Sequence, residues 1–283
     1  MTALRLAGKH CAVVGATGII GAHMAKAFAA HGAVVSLLGR SALQARPKLE
    51  PELVPYAPSP SPSPSSSPTS SAGASAAPPP DTPLAHRFLR LDISDPADIK
   101  SVFGGRATPT GASETGDEAA VVGTLDILVN CAGIAQTTLL KRTPDLELAS
   151  IVDTNLLAPM LVCKYAKIKP NGCIINVSSL MATKGDLGVT AYAASKAGLV
   201  GLTRALCREM AARSIRVNAL LPGWVKSPMW DHLKPDLKEA YLRDTPLGRV
   251  ADPAEVADAA IFLASNGFAN NCVLNLDGGL SAA

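Results

Sequence analysis

Between His10 and Leu38 the chain commits itself to a fold. His10-Cys11-Ala12-Val13-Val14 reads as a buried strand, and Gly15-Ala16-Thr17-Gly18-Ile19-Ile20-Gly21 turns it directly into a helical pattern carried by Met24, Ala27 and Phe28. That pattern ends near His31-Gly32, and Ala33 to Leu38 is a second apolar strand, so the stretch is a βαβ unit. Glycines at a strand-to-helix turn let the backbone approach a pyrophosphate, whose charge the free N–H groups of a helix N-terminus stabilise. A dinucleotide is therefore the expected ligand, held at Gly15, Thr17, Gly18, Ile19 and Gly21. After the second strand Arg40 stands where a site for NAD(H) usually places an acid for the ribose 2′-hydroxyl, whereas an arginine matches a 2′-phosphate. NADP(H) is the expected cofactor and NAD(H) the alternative; a solvated arginine at a strand end is the structural reading of Arg40.

The same alternation continues. His86 to Leu91 reads as a strand ending at Asp92, Asp95-Pro96 opens a helix to Phe103, and Leu125 to Val129 is a strand running into Asn130-Cys131-Ala132-Gly133. Pro144 opens a helix reaching Ala166 with Asn155 in its middle, a residue that fits poorly there unless its side chain has a task or faces water. Cys173 to Val177, Ile215 to Leu220 and Val273 to Leu276 are further strands, separated by a helix over 191–212 and one from Asp252-Pro253-Ala254-Glu255 to Ser265. Lys226 to Arg249 is polar and punctuated by prolines, as a lid of short helices would be. The expectation is one domain over residues 1–283. It holds one doubly wound parallel sheet of about seven strands, with helices on both faces and ligands at the strands' carboxyl ends.

Two stretches break the pattern. Pro55 to Pro83 is almost devoid of large apolar side chains and cannot offset its ordering entropy by burial, so a disordered surface loop is expected. Gly104 to Gly123 is similarly bland and expected at the surface; such inserts are tolerated because loop-closure cost grows slowly with length.

Chemistry concentrates between Cys173 and Arg213. Tyr192 and Lys196 are four apart, one turn along one helix face, and Ser179 lies thirteen residues before Tyr192, just past a strand. A hydroxyl, a phenol and an ammonium can converge there. Spacing alone is insufficient, because Tyr165 and Lys169 repeat it with Val152 thirteen residues upstream, at a helix end; that pair reads as structural.

Composition excludes other classes. A formal charge of +3, dispersed along the chain, gives no clustered basic face for nucleic acid. Cys11, Cys131, Cys163, Cys173, Cys207 and Cys272 show no CxxC pair or metal-ligand spacing and read as reduced thiols in a reducing compartment. No apolar run approaches a membrane span, and Met1 to Lys9 leave no room for a signal peptide, so an intracellular protein of mitochondrion or cytoplasm is expected.

Taken together, these residues resemble the short-chain dehydrogenase/reductase family over nearly the whole chain apart from the two inserts. The resemblance rests on the glycine turn, Asp92, Asn130-Cys131-Ala132-Gly133, Asn155, Ser179, Tyr192-x-x-x-Lys196 and Pro222-Gly223-x-Val225. It is closest to the 3-oxoacyl-[acyl-carrier-protein] reductase and carbonyl reductase 4 subgroup, on Leu139 to Thr143, Asn155-Leu156-Leu157, Pro246 to Arg249 and Asp277 to Leu280. The turn departs from that subgroup, with Val14 in place of a threonine and Ile19 at the middle glycine. The helix from Pro144, commonly the tetramer interface in this family, is about one turn short.

The resemblance implies a Rossmann-type fold and catalysis by Asn155, Ser179, Tyr192 and Lys196 without a metal. Tyr192 would protonate the carbonyl oxygen as hydride arrives, and Lys196 would lower its pKa and hold the nicotinamide ribose. Ser179 would hydrogen-bond the same oxygen, and Asn155 would anchor a water relaying protons. Asp92, Asn130, Ala132, Gly133, Pro222, Gly223, Val225 and Ser227 would complete the cofactor site. The implied activity is NADPH-dependent reduction of a 3-oxoacyl thioester on acyl carrier protein in fatty-acid synthesis, with the carrier docking on the Arg213 side of a homo-oligomer, tetramer or dimer. A carbonyl, quinone or polyketide ketoreductase is the same-chemistry alternative, and a non-catalytic dinucleotide-binding regulatory protein the alternative from another class.

Overall fold

The computed structural model describes residues 4–56, 83–105 and 121–282. Most of both inserts therefore lies outside the described residues. Seven strands, β1 (His10–Val14), β2 (Val34–Gly39), β3 (Arg87–Arg90), β4 (Thr124–Asn130), β5 (Lys167–Val177), β6 (Arg216–Pro222) and β7 (Val273–Leu276), form one sheet in the order β3-β2-β1-β4-β5-β6-β7. Every pairing is parallel. The chain winds outward from β1 to β3, then starts again at β4 on the other side of β1. The carboxyl ends of β1 and β4 consequently flank a crevice, the place where such sheets bind ligands.

Successive strand residues point to opposite faces, and both faces are covered. Cys11 and Val13 pack in a core with Met24 and Phe28 of α1 (Ile19–Ala30) and, further along the sheet, Val256 and Ile261, whereas Ala12 and Val14 pack in the opposite core with Ile99 and Phe103. This is why the strands read as continuous apolar runs. A short helix the sequence left unassigned, α2 (Ala42–Leu49), follows β2, and α3 (Pro96–Gly104) follows β3 with Asp95 as its N-cap, accepting from Ala97 N–H at 2.8 Å.

The helix expected from Pro144 is α4 (Asp145–Val152), a π turn (Asp153–Leu157) and α5 (Ala158–Tyr165) in unbroken succession. The flagged Asn155 sits in the π turn, where one extra residue re-aims a side chain. By length and composition these 21 residues could cross a membrane, but they lie in a helical layer against α3 and α6 (Thr190–Glu209). The segment after Asp252 is α9 (Pro253–Ser265), with the expected capping box. The expected lid holds α7 (Pro228–Asp231) and α8 (Pro235–Asp244).

Two expectations need correction. Strand β5 begins at Lys167, six residues before the expected start at Cys173; Lys169-Pro170-Asn171-Gly172 bulges opposite Asp126, with Asn171 left-handed at φ 62°. That bulge hid the strand's first residues. Lys169 consequently lies on a strand, its ammonium 2.9 Å from Asp126, and does not share a helix face with Tyr165. The second insert is also not wholly at the surface, since Val122 is fully buried beside Phe103.

Candidate active site

The crevice floor is built from backbone. Gly15 turns out of β1 at φ 86°, and a Cβ there would stand 2.6 Å from Ala132 N; at Gly21 it would stand 2.2 Å from the Gly15 carbonyl oxygen. Any side chain would push these segments apart. The first α1 helical bond is Ala22 N–H to Gly18 at 2.8 Å, so the N–H groups of Ile19, Ile20 and Gly21 precede the hydrogen-bonded ladder at the crevice. A cradle with free donors and no side chain fits a pyrophosphate. Thr17 lies against Gly39 at the end of β2, and exposed Arg40 follows; its charge helps hold the Asp92 carboxyl below its usual range, after the larger effect of hydrogen bonds from Ser94. The end of β2 therefore brings Arg40 and Asp92 together beside the glycine turn.

Not every expected cofactor residue faces the crevice. Asn130 is buried and turns its amide into the core, donating to Asn176 Oδ1 at 2.9 Å, so only its backbone borders the site. Ser227 is occupied as the N-cap of α7, accepting from Trp230 N–H and donating to the Val225 carbonyl. Pro222 ends β6, Gly223 N–H donates to Leu276 at 2.9 Å, and buried Val225 bridges to Ala251; these backbone ties fix the wall from which the lid departs.

The four expected catalytic residues come together on three elements. Ser179 follows β5; its hydroxyl accepts from Met181 N–H at 3.2 Å and lies near enough to the Tyr192 phenol to lower its pKa. Lys196, one turn after Tyr192 on α6, is buried; its Nζ lies 5.7 Å from the Tyr192 ring centre and donates to the Val177 carbonyl at 3.0 Å. Asn155 is fully buried, accepting from Ile134 N–H at 2.8 Å and donating to the Ile134 carbonyl at 2.9 Å. Gly133 joins them, because a Cβ there would lie 3.0 Å from Asn155 Oδ1 and 3.3 Å from Lys196 Nζ. Ser178, the neighbouring hydroxyl, donates to the Lys196 carbonyl at 2.8 Å and is spent holding α6.

Burial raises the Tyr192 phenol, and Ser179 beside it lowers it less. Lys196 itself is pushed down to about 8 by burial. The phenol is thus neutral at neutral pH, as a proton donor must be.

Sequence reasoning missed the partners around this set. Tyr241 of α8 donates to Asp186 Oδ2 at 2.6 Å, tying the lid to the loop between Ser179 and Tyr192, and Trp224 packs at a tilt against Tyr241 and Trp230 with ring centres 4.8 and 5.6 Å apart. Buried Gln136 holds the start of α6. Nothing in spacing or composition singles these out. Arg213, expected beside the mouth, instead donates to the Ile168 carbonyl near the amino-terminal end of β5, at the opposite end of the sheet from Ser179.

Known proteins resemble this chain in sequence and in fold. A family model described as enoyl-(acyl carrier protein) reductase matches residues 72–281. A 3-oxoacyl-[acyl-carrier-protein] reductase of Mus musculus is 38% identical over 198 residues, covering 69% of this chain and 78% of that one. The 3-oxoacyl-[acyl-carrier-protein] reductase FabG of Chlamydia muridarum is 43% identical over 166 residues, 56% of this chain, and the match spans 66% of the relative, just under two thirds. A crystal structure from Agrobacterium tumefaciens with bound NADP, described as a 2-deoxy-d-gluconate 3-dehydrogenase, superposes with a TM-score of 0.75 at 26% identity over the full length of both chains.

Proposed function

Because the chain belongs to the short-chain dehydrogenase/reductase family, we propose that it is an NADPH-dependent oxidoreductase that reduces a 3-oxoacyl thioester to its 3-hydroxyacyl form in fatty-acid synthesis. The observation that carries this reading is the convergence of Ser179, the Tyr192 phenol and buried Lys196 beside the glycine floor of Gly15 and Gly133. Relatives named as 3-oxoacyl-[acyl-carrier-protein] reductases and the NADP-bound neighbour support the substrate class and the cofactor.

In the proposed reaction the glycine turn and the α1 N-terminus hold the pyrophosphate, and Arg40 the 2′-phosphate. Bound there, the reduced nicotinamide supplies hydride. A substrate carbonyl oxygen accepts from Ser179 and Tyr192 together, and the Tyr192 phenol gives its proton to that oxygen as negative charge develops. Lys196, a buried cation when protonated, stabilises the phenolate left behind, and Asn155 holds the Ile134 backbone at the rim of the same chamber. One domain and a homo-oligomer complete the proposal, the latter supported by exposed Leu146, Leu157 and Met160 along the α4–α5 helix. The surface that would receive an acyl carrier is not assigned to Arg213, given its place at the far end of the sheet.

The test is NADPH oxidation with acetoacetyl-CoA. Tyr192→Phe should lose turnover while still binding NADPH, and full activity in that variant would sink the mechanism. The zebrafish relative named carbonyl reductase family member 4, 39% identical over 198 residues, favours a carbonyl reductase as the second reading. Turnover of small ketones or quinones without turnover of the thioester would select it.

A further inference from the structure

The helix that carries Tyr192 and Lys196 begins without a cap of its own, since Val189 precedes α6 and offers no side-chain acceptor. First-turn N–H groups have no partner within their helix, and leaving them unpaired in a buried site is costly. The acceptor comes from the loop after β4. Gln136, 2% exposed, takes Ala191 N–H on Oε1 at 2.7 Å and Tyr192 N–H at 3.3 Å. Its Nε2 donates to the Thr138 carbonyl and to Thr143 Oγ1, each at 3.0 Å. The amide can sit only this way round, because backbone N–H groups require an oxygen and the Thr138 carbonyl requires a donor.

Gln136 belongs to the same short loop as Ala132 and Gly133 of the floor and Ile134, whose N–H and carbonyl are both held by Asn155. One loop therefore touches the floor, Asn155 and the first turn of the catalytic helix. We propose that Gln136 is a positioning residue, a cap supplied from outside the helix that fixes the Tyr192 phenol against Ser179 and the crevice floor. The proposal rests on Tyr192 being the proton donor. It has an electrostatic side as well: the N-terminus of α6 is its positive end, and a neutral amide oxygen satisfies it without placing a full negative charge on the first turn of the helix that carries the phenol.

Gln136→Met and Gln136→Glu separate this role from a structural one, with Tyr192→Phe alongside, by kcat and KM for NADPH and acetoacetyl-CoA, thermal midpoint and the pH profile of kcat. Gln136→Met should lose about tenfold in kcat, with KM for NADPH within about twofold, as misplacement of the donor predicts. Gln136→Glu keeps the acceptor for Ala191 and Tyr192 N–H but turns its second oxygen on the Thr138 carbonyl, so it should recover only part of the lost kcat near neutral pH, and its carboxylate should move the alkaline fall of kcat to higher pH. A folded Gln136→Met protein with unchanged kcat, or a folded Gln136→Glu protein whose alkaline limb stays in place, overturns the proposal. If Gln136→Met does not fold, the limb in Gln136→Glu decides, and if neither folds the residue serves folding and the proposal fails. Full turnover in Tyr192→Phe would remove the proton-donor reading on which it rests, whatever the Gln136 variants do.

Discussion

Replacing Lys196 with methionine should stabilise the ligand-free protein while ending turnover. Lys196 is 4% exposed, and burial lowers its pKa from 10.5 to about 8. At about 1.4 kcal/mol per pH unit, that difference is a folding penalty of about 3 kcal/mol wherever the amine is protonated in both states. Its sign follows from proton binding: the unfolded chain holds the proton more tightly, so stability rises with pH between about 8 and 10.5, and the whole penalty applies below about 8. Methionine carries no proton and has no such slope, but leaves the Val177 carbonyl without its donor, a loss of about 1 kcal/mol. The variant should therefore be more stable by about 2 kcal/mol at pH 7, an increase of roughly 4–8 °C in Tm for a chain of this size. That gap should close as pH approaches 10. Urea denaturation of both proteins without cofactor at pH 7, 8, 9 and 10 reads it directly. A gap that does not change with pH would show that the ammonium is not desolvated in the folded state, and the reasoning would fail.

Three further outcomes follow from the geometry. Fully buried His10 donates from Nδ1 to the Thr124 carbonyl at 2.8 Å and accepts on Nε2 from Ser36 at 2.9 Å, and burial lowers its pKa to about 4. Its contribution should be intact above pH 6.5 and lost as pH falls towards 4, with about 2 kcal/mol gone by pH 5; urea midpoints that fall equally in wild type and His10→Gln would refute it. Arg40→Asp should shift the ratio of kcat/KM from NADPH towards NADH, and an unchanged ratio would remove Arg40 from the 2′-phosphate site. Gly15→Ala should weaken NADPH binding, measured by fluorescence titration, at least tenfold, about 1.4 kcal/mol, because its methyl would strike Ala132 N from a backbone at φ 86°; binding within twofold of wild type would refute the cradle.

Much of this molecule was legible in its residues because the periodic parts of a doubly wound sheet are local. Apolar runs such as His10–Val14 and Leu125–Val129 mark strands buried on both faces, the Asp252/Glu255 capping box marks a helix start, and the strand–glycine–helix turn marks the phosphate end of the sheet. The order of Asn155, Ser179, Tyr192 and Lys196 was legible too, and so was the oddity of an asparagine inside a helix. The first residues of β5 were not, because Pro170, Asn171 and Gly172 are turn residues wherever they occur, and only pairing with β4 makes them part of a strand.

Tertiary structure decided the properties that depend on what a side chain faces. Sequence placed an ammonium one turn from a phenol, but burial decided that Lys196 would turn to the Val177 carbonyl and that the phenol would be raised. Arg213 kept its number after Tyr192, yet the downward run of α6 carried it to the end of the sheet away from Ser179. Gln136 and Tyr192 lie 56 residues apart, and their hydrogen bond exists because β4 and β5 are neighbours whose following loops meet above the sheet. The glycine turn with which the chain commits to its fold is a local matter of φ and missing side chains. The residues that aim the reacting groups are set by which segments the sheet brings into contact, and no local pattern records that.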